Sequence, residues 1–149
     1  MSLGYRHAAS IHRFRDPRGS IELWTVNGMV CARAAGHLTA ASMDAYLTRQ
    51  SDVLEQMGRR VLAFRDYGEV RGFEPQVKAL TTRWTLRHRD RFEAIHVFAR
   101  STHVVLAAQS LSFASGDRLH VYEDPDDLQR AYVQALRNNR STDEFAPLG

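Results

Sequence analysis

The sequence predicts an α/β domain: a mixed, largely parallel sheet of four to five strands with helices packed on it. Three observations carry this. The apolar run Val61-Leu-Ala-Phe64 stands between Arg60 and Arg65-Asp66, the pattern of a short strand buried on both faces. From Thr39 onward, segments with a helical period alternate with short apolar runs. Ahead of them stands a hairpin signal. The resulting order is a hairpin, then helix and strand three times, then a closing helix, which implies parallel strands joined by right-handed crossovers.

The elements follow in order. Ile11-His-Arg-Phe14 is a weak first strand, and Asp16-Pro-Arg-Gly19 reads as a turn. Ile21-Glu-Leu-Trp-Thr-Val26 alternates with a strand's period of two. Asn27-Gly28 is the strongest short hairpin signal, because both central residues of that turn need positive φ. Met29-Val-Cys-Ala-Arg33 returns, and Gly36 breaks it. Thr39 or Ser42 caps a helix whose inward residues are Met43, Tyr46, Leu47, Val53, Leu54 and Met57. Gly58 ends it, with Arg59 and Arg60 beyond the negative end of the dipole. The buried strand Val61–Phe64 then runs into a polar, glycine-containing loop from Asp66 to Glu74. Pro75 opens a second helix with Val77, Leu80 and Trp84 on one face. Ala94–Ala99 is a strand, and Ser101–Ser115 a helix capped by Ser101 and closed by Gly116. That helix is apolar on more than one face, so it is either deeply buried or half-covers a partner. Leu119–Tyr122 is the last strand. Asp124-Pro-Asp-Asp127 supplies a cap, a first-turn proline and two carboxylates for the final helix, with Leu128, Ala131, Tyr132, Ala135 and Leu136 inward.

One domain, residues 11–137, is therefore expected, after a poorly ordered leader at 1–10 (Met1-Ser-Leu is set aside with it) and before a polar tail at 138–149. A chain of 149 residues buries roughly two-thirds of its extended surface. Hydrophobic content of 44% and charged content of 25% are ordinary for a globular protein. No apolar run approaches the ~20 residues that span a membrane, and the N-terminus has no signal-peptide core. The single cysteine, Cys31, falls in a strand and fits a reducing, cytoplasmic compartment. Lys78 is the only lysine among 20 cations. The net charge of +3 is mild, and no dense basic stripe with interleaved aromatics is present, so nucleic acid is not expected as a partner. The densest basic stretch, Arg83 to Arg91, reads as a solvated helix end, with an anionic lipid, phosphoprotein or nucleotide contact as the alternative.

The motifs of self-contained catalysis are absent. Seven histidines form no His-x-x-x-His and no Cys–His set, so no metal is expected. There is no Gly-x-Ser-x-Gly elbow, and Gly68 and Gly72 lack the Walker lysine and the dinucleotide fingerprint. No cofactor and no enzymatic activity are expected. His96 and His120 fall in strands as satisfied or half-buried imidazoles. The loop after the buried strand carries Asp66, Tyr67, Glu69, Arg71 and Glu74, at the carboxyl end where open α/β sheets place binding sites.

Gly28, Gly36-His-Leu-Thr39, Val61-Leu-Ala-Phe-Arg-Asp66, Phe73 and Val121-Tyr-Glu-Asp124, spread over roughly Ile21 to Leu136, resemble the pattern of the STAS-like (SpoIIAA-like) fold. That family includes bacterial anti-sigma-factor antagonists, and lipid-binding transfer domains share its topology. In the antagonists a partner kinase phosphorylates a serine at the start of the helix after this strand. Here Glu74-Pro75 stand where Asp-Ser is expected, and Thr81 and Thr82 follow about two turns on. The resemblance implies a non-catalytic regulatory or binding domain, read here as a protein-interaction module without the usual phosphorylatable serine; the apolar helix Val104–Phe113 adds the expectation of a homodimer. Its partner surface would use Asp66, Tyr67, Glu69, Arg71, Phe73, Glu74 and Ser101. The alternative is a small-molecule or lipid carrier with an apolar pocket lined by Trp24, Phe64, Trp84 and Phe98.

Overall fold

The computed structural model describes Leu3 and residues 10–144, the side chains only as far as 139. The leader at 1–2 and 4–9 and the tail end at 145–149 lie outside the described residues. The elements are β1 Ile11–Arg15, β2 Gly19–Val26, β3 Met29–Leu38, α1 Ala40–Met57, β4 Val61–Phe73, α2 Pro75–His88, a 3-10 turn Arg89–Arg91, β5 Phe92–Ala99, α3 Thr102–Ala114, β6 Leu119–Tyr122 and α4 Pro125–Glu144.

The six strands lie side by side in chain order. The first three are antiparallel, and β3 to β6 run parallel. Six strands rather than four to five result because the weak first segment pairs along its whole length, from Ile11 opposite Trp24 to Arg15 opposite Ser20. Asn27 and Gly28 both take positive φ, 48° and 72°, so the two-residue turn matches the strand twist and sets Val26 opposite Met29. Thr39 Oγ1 accepts the Ser42 N–H at 3.2 Å to start α1, and Gly58 closes it. Ser101 occupies the N-cap position of α3, but its side chain makes no capping bond. Instead of yielding to a loose tail at 138, α4 continues to Glu144.

Sequential order has a consequence for the two faces. Parallel crossovers of one hand, stepping always in the same direction along a sheet, place their helices on the same side. Accordingly, α1, α2 and α3 share one core with Val61, Ala63, Ile95 and Val97. On the opposite face α4 packs Leu128, Tyr132 and Ala135 against Trp24, Cys31, Phe64 and Phe98. Leu3, expected in a loose leader, is buried in this second core, and its carbonyl accepts from Arg33 Nη2 at 2.6 Å. Among the described residues no helix is long and apolar enough to cross a membrane.

The largest departure from the sequence reading is in β4. The expected loop after Phe64 is strand as far as Phe73, since β3 runs on to Leu38 and offers its backbone partners. Ladder hydrogen bonds outweigh the loop-like composition of Asp66 to Gly72. Between Arg33–Asp66 and Ala35–Glu69, and again between Gly36–Val70 and His37–Gly72, β4 spends one extra residue against β3. Each such bulge changes which residues face which side. Arg65, Tyr67, Val70 and Phe73 consequently all turn toward the helical layer, although their spacing is not a uniform two.

Candidate functional site

Between the sheet and α1–α3 lies a cavity of about 70 Å³. Arg65, Tyr67, Val70 and Phe73 of β4 form its floor, and Met43, Tyr46, Val77, Thr81, Trp84 and Leu111 are among the helix residues around it. Among the described residues, the charged ones lining it are Arg65 and Lys78. Lys78, on the first turns of α2, is exposed to solvent.

Arg65 follows Val61 and Ala63 at alternate positions, so its side chain enters the apolar helix-side core and is 6% exposed. Its Nη2 donates to Gln50 Oε1 at 3.3 Å, and Gln50 is itself 0% exposed. Gln50 Nε2 donates to the Tyr46 hydroxyl at 3.0 Å. The guanidinium lies 5.9 Å from the centre of the Phe92 ring. Its Nε is buried without an acceptor, and among the described residues no carboxylate forms an ion pair with it. Burial, with the neighbouring Tyr46, pushes the Tyr67 hydroxyl far above its ordinary pKa, so it is a neutral donor.

The residues expected to form a partner surface do not converge. Asp66 is buried on the α4 side of the sheet, where its Oδ1 accepts the Gly68 N–H at 3.0 Å. It lies within β4 rather than at the strand's carboxyl end. Tyr67 and Phe73 line the cavity, while Glu69 and Arg71 are exposed. Glu74 is committed to architecture: its Oε1 accepts the Ala40 N–H at 2.7 Å, and its Oε2 lies 3.8 Å from Arg18 Nη1. Ser101 accepts the Val105 N–H through its backbone carbonyl. Of the aromatics expected around a carrier's pocket, only Trp84 lines the cavity, because Trp24, Phe64 and Phe98 belong to the opposite core. Thr81 and Thr82 turn their hydroxyls back on α2, donating to the Val77 and Lys78 carbonyls at 2.9 and 2.8 Å.

Sequence reasoning missed Arg65, Gln50, Tyr46 and Lys78. A signal for Arg65 existed: it shares the parity of Val61 and Ala63, which makes it a charge on a buried face. A serine–histidine contact was missed as well. Ser51 Oγ lies 3.2 Å from His88 Nε2, and His88 Nδ1 lies 2.9 Å from the Trp84 carbonyl. The same hydroxyl accepts from Trp84 Nε1 at 2.8 Å and donates to the Leu47 carbonyl at 3.1 Å. Its proton is thus shared with a helix carbonyl, and the group ties α2 to α1.

The arrangement defines a class before it suggests a ligand: an α/β domain with two antiparallel strands leading a parallel sheet in chain order, the SpoIIAA-like or STAS-like fold. A solved structure similar to it is an uncharacterised protein of the DUF3478 family with a SpoIIAA-like fold from Shewanella loihica PV-4. It has a TM-score of 0.56 and 15% sequence identity, over 87% of this chain and 97% of that one. No protein-family model matches the sequence, and no curated protein matches it.

Proposed function

We propose that the chain is a non-catalytic binding domain whose ligand is a small, largely apolar molecule held under the helical layer. The observation that carries this is the cavity floored by Arg65, Tyr67, Val70 and Phe73. Concave, mostly apolar sites with a few convergent polar groups are the usual form of small-molecule sites. The carrier reading therefore takes precedence over a partner surface at residues 66–74, whose members are divided between two faces. Thermal-shift and calorimetric titration with short-chain amphiphiles tests it. Binding that disappears in Leu111→Trp, a partly exposed wall position, supports the cavity. Binding that persists unchanged in that variant places the ligand elsewhere and removes the proposal.

A second reading, self-association as a homodimer, is favoured by the outer face of α3. Phe113 is 88% exposed and Leu106 58%. The other exposed residues of that helix, Thr102, His103, Gln109 and Ser110, include no Asp, Glu, Lys or Arg. Two copies of a +3 chain can meet across such a face without juxtaposing like charges. Light scattering over a concentration series tests it: a dimer that Phe113→Ser converts to monomer supports this interface, and a monomer at millimolar concentration excludes it.

A further inference from the structure

We propose that the cavity selects a carboxylate: a short-chain organic acid whose headgroup pairs with the Arg65 guanidinium while its apolar tail lies against Val70, Phe73 and Leu111. This rests on the cavity reading above and adds the chemical class of the ligand.

The argument begins with an uncompensated charge. A guanidinium stays protonated in proteins, so Arg65 cannot shed its charge on burial as a lysine can. Buried ions are ordinarily paired or fully hydrogen-bonded. Arg65 has instead one long bond to a neutral amide and a buried Nε without an acceptor. Its chain neighbour Asp66 cannot help, because strand alternation turns that carboxylate to the other face, where it accepts from Gly68. The missing component is an anion in the plane of the guanidinium. A carboxylate meets that need by bidentate pairing.

The surroundings narrow the choice further. The cavity presents few donors and mostly apolar walls, whereas a phosphate requires many donors to replace its hydration. The cavity, about 70 Å³, is several times the ~10–15 Å³ that one water occupies by the same measure. A carboxyl group and a few methylenes fit that size. Lys78, the chain's single lysine, stands exposed at the wall and draws anions toward the opening.

The test compares hexanoate, 1-hexanol and inorganic phosphate by calorimetric titration against the wild-type chain and Arg65→Met, which keeps an unbranched apolar stem and removes the guanidinium. Hexanoate should bind wild type at least about tenfold more tightly than hexanol, as a charge-assisted pair predicts. In Arg65→Met that ratio should fall to about one. Equal binding of acid and alcohol to wild type would overturn the carboxylate and leave the apolar cavity standing. Phosphate binding in preference to hexanoate would overturn the carboxylate as the ligand class. If neither six-carbon compound binds, both this inference and the cavity reading fail. The Arg65 Nε–H resonance of the wild-type chain gives an independent reading should the variant not fold. It should shift with hexanoate and not with hexanol, and no shift at saturating hexanoate would overturn the pairing.

Discussion

Glu74 Oε1 accepts the Ala40 backbone N–H at 2.7 Å, so the last residue before α2 caps the first residue of α1. The Glu74 N–H in turn donates to the Leu38 carbonyl at 2.9 Å, which holds the carboxylate opposite the positive end of the α1 dipole. The junction between β4 and α2 is thereby braced against the start of α1. Glu74→Ala should cost about 1 kcal/mol, the usual value of a lost helix cap. Urea denaturation measures it, and an unchanged midpoint would show that the Thr39 cap suffices alone.

A second carboxylate reaches the same helix start. Asp16 Oδ2 accepts from the Thr39 hydroxyl at 2.7 Å and the Ser42 hydroxyl at 2.8 Å, and Oδ1 accepts the Arg18 and Gly19 N–H groups. These bonds, those of Thr39 and Ser42 foremost, lower its pKa to about 2 from a model-compound 3.8. Because the folded value lies below the unfolded one, the contribution is complete above about pH 4 and is lost as pH falls through about 2. Wild type should lose stability over that interval. Asp16→Asn should be weaker at neutral pH and respond less to acid in denaturant midpoints taken from pH 5 to pH 2.

On the α4 side, His96 gives stability that is also lost on acidification, but at higher pH. Burial first, and the neighbouring His120 second, lower its pKa from 6.5 to about 4. Its ring stacks on Phe64 and His120, and its Nδ1 lies 2.8 Å from the Tyr122 hydroxyl. The fold favours the neutral imidazole, so its stabilisation is full above pH 6.5 and declines as pH falls toward 4, where the unfolded chain alone takes up the proton. His96→Phe should flatten the stability profile in that window. A carbon-bound imidazole proton of His96 titrating near 6.5 in the folded state would contradict the assignment.

Gly68 is set by a neighbour rather than by φ. A Cβ at this position would lie 2.4 Å from Phe98 Cε2 and 3.3 Å from Asp66 Oδ1. Phe98 is buried in the α4-side core, so the ring has little room to retreat. Gly68→Ala should destabilise by about 1–3 kcal/mol, the range for overpacking. Phe98→Leu in the same chain should recover part of that loss, as double-mutant thermal unfolding would show.

Local chemistry made much of this chain legible. Asn27-Gly28, Thr39, Gly58, Pro75 and Asp124-Pro125 each act within a few residues of themselves, and the elements they delimit begin and end where that chemistry places them. The site was legible only in fragments. Tyr67 and Phe73 were among the expected partner-surface residues and line the cavity, while Asp66 and Glu74, expected on the same surface, accept from the Gly68 and Ala40 N–H groups.

By itself the sequence determined the class of fold, because hydrophobic period, caps and turn residues are short-range properties. The tertiary structure decided how far β4 extends, since its partner is the distant strand β3 and backbone pairing outranks the composition of Asp66 to Gly72. It also decided the sides. Crossovers of one hand gathered α1, α2 and α3 over Arg65 and left Trp24, Phe64 and Phe98 to α4. Whether a charge faces water or a core depends on what packs above the sheet, and that is fixed only when remote helices meet on one face.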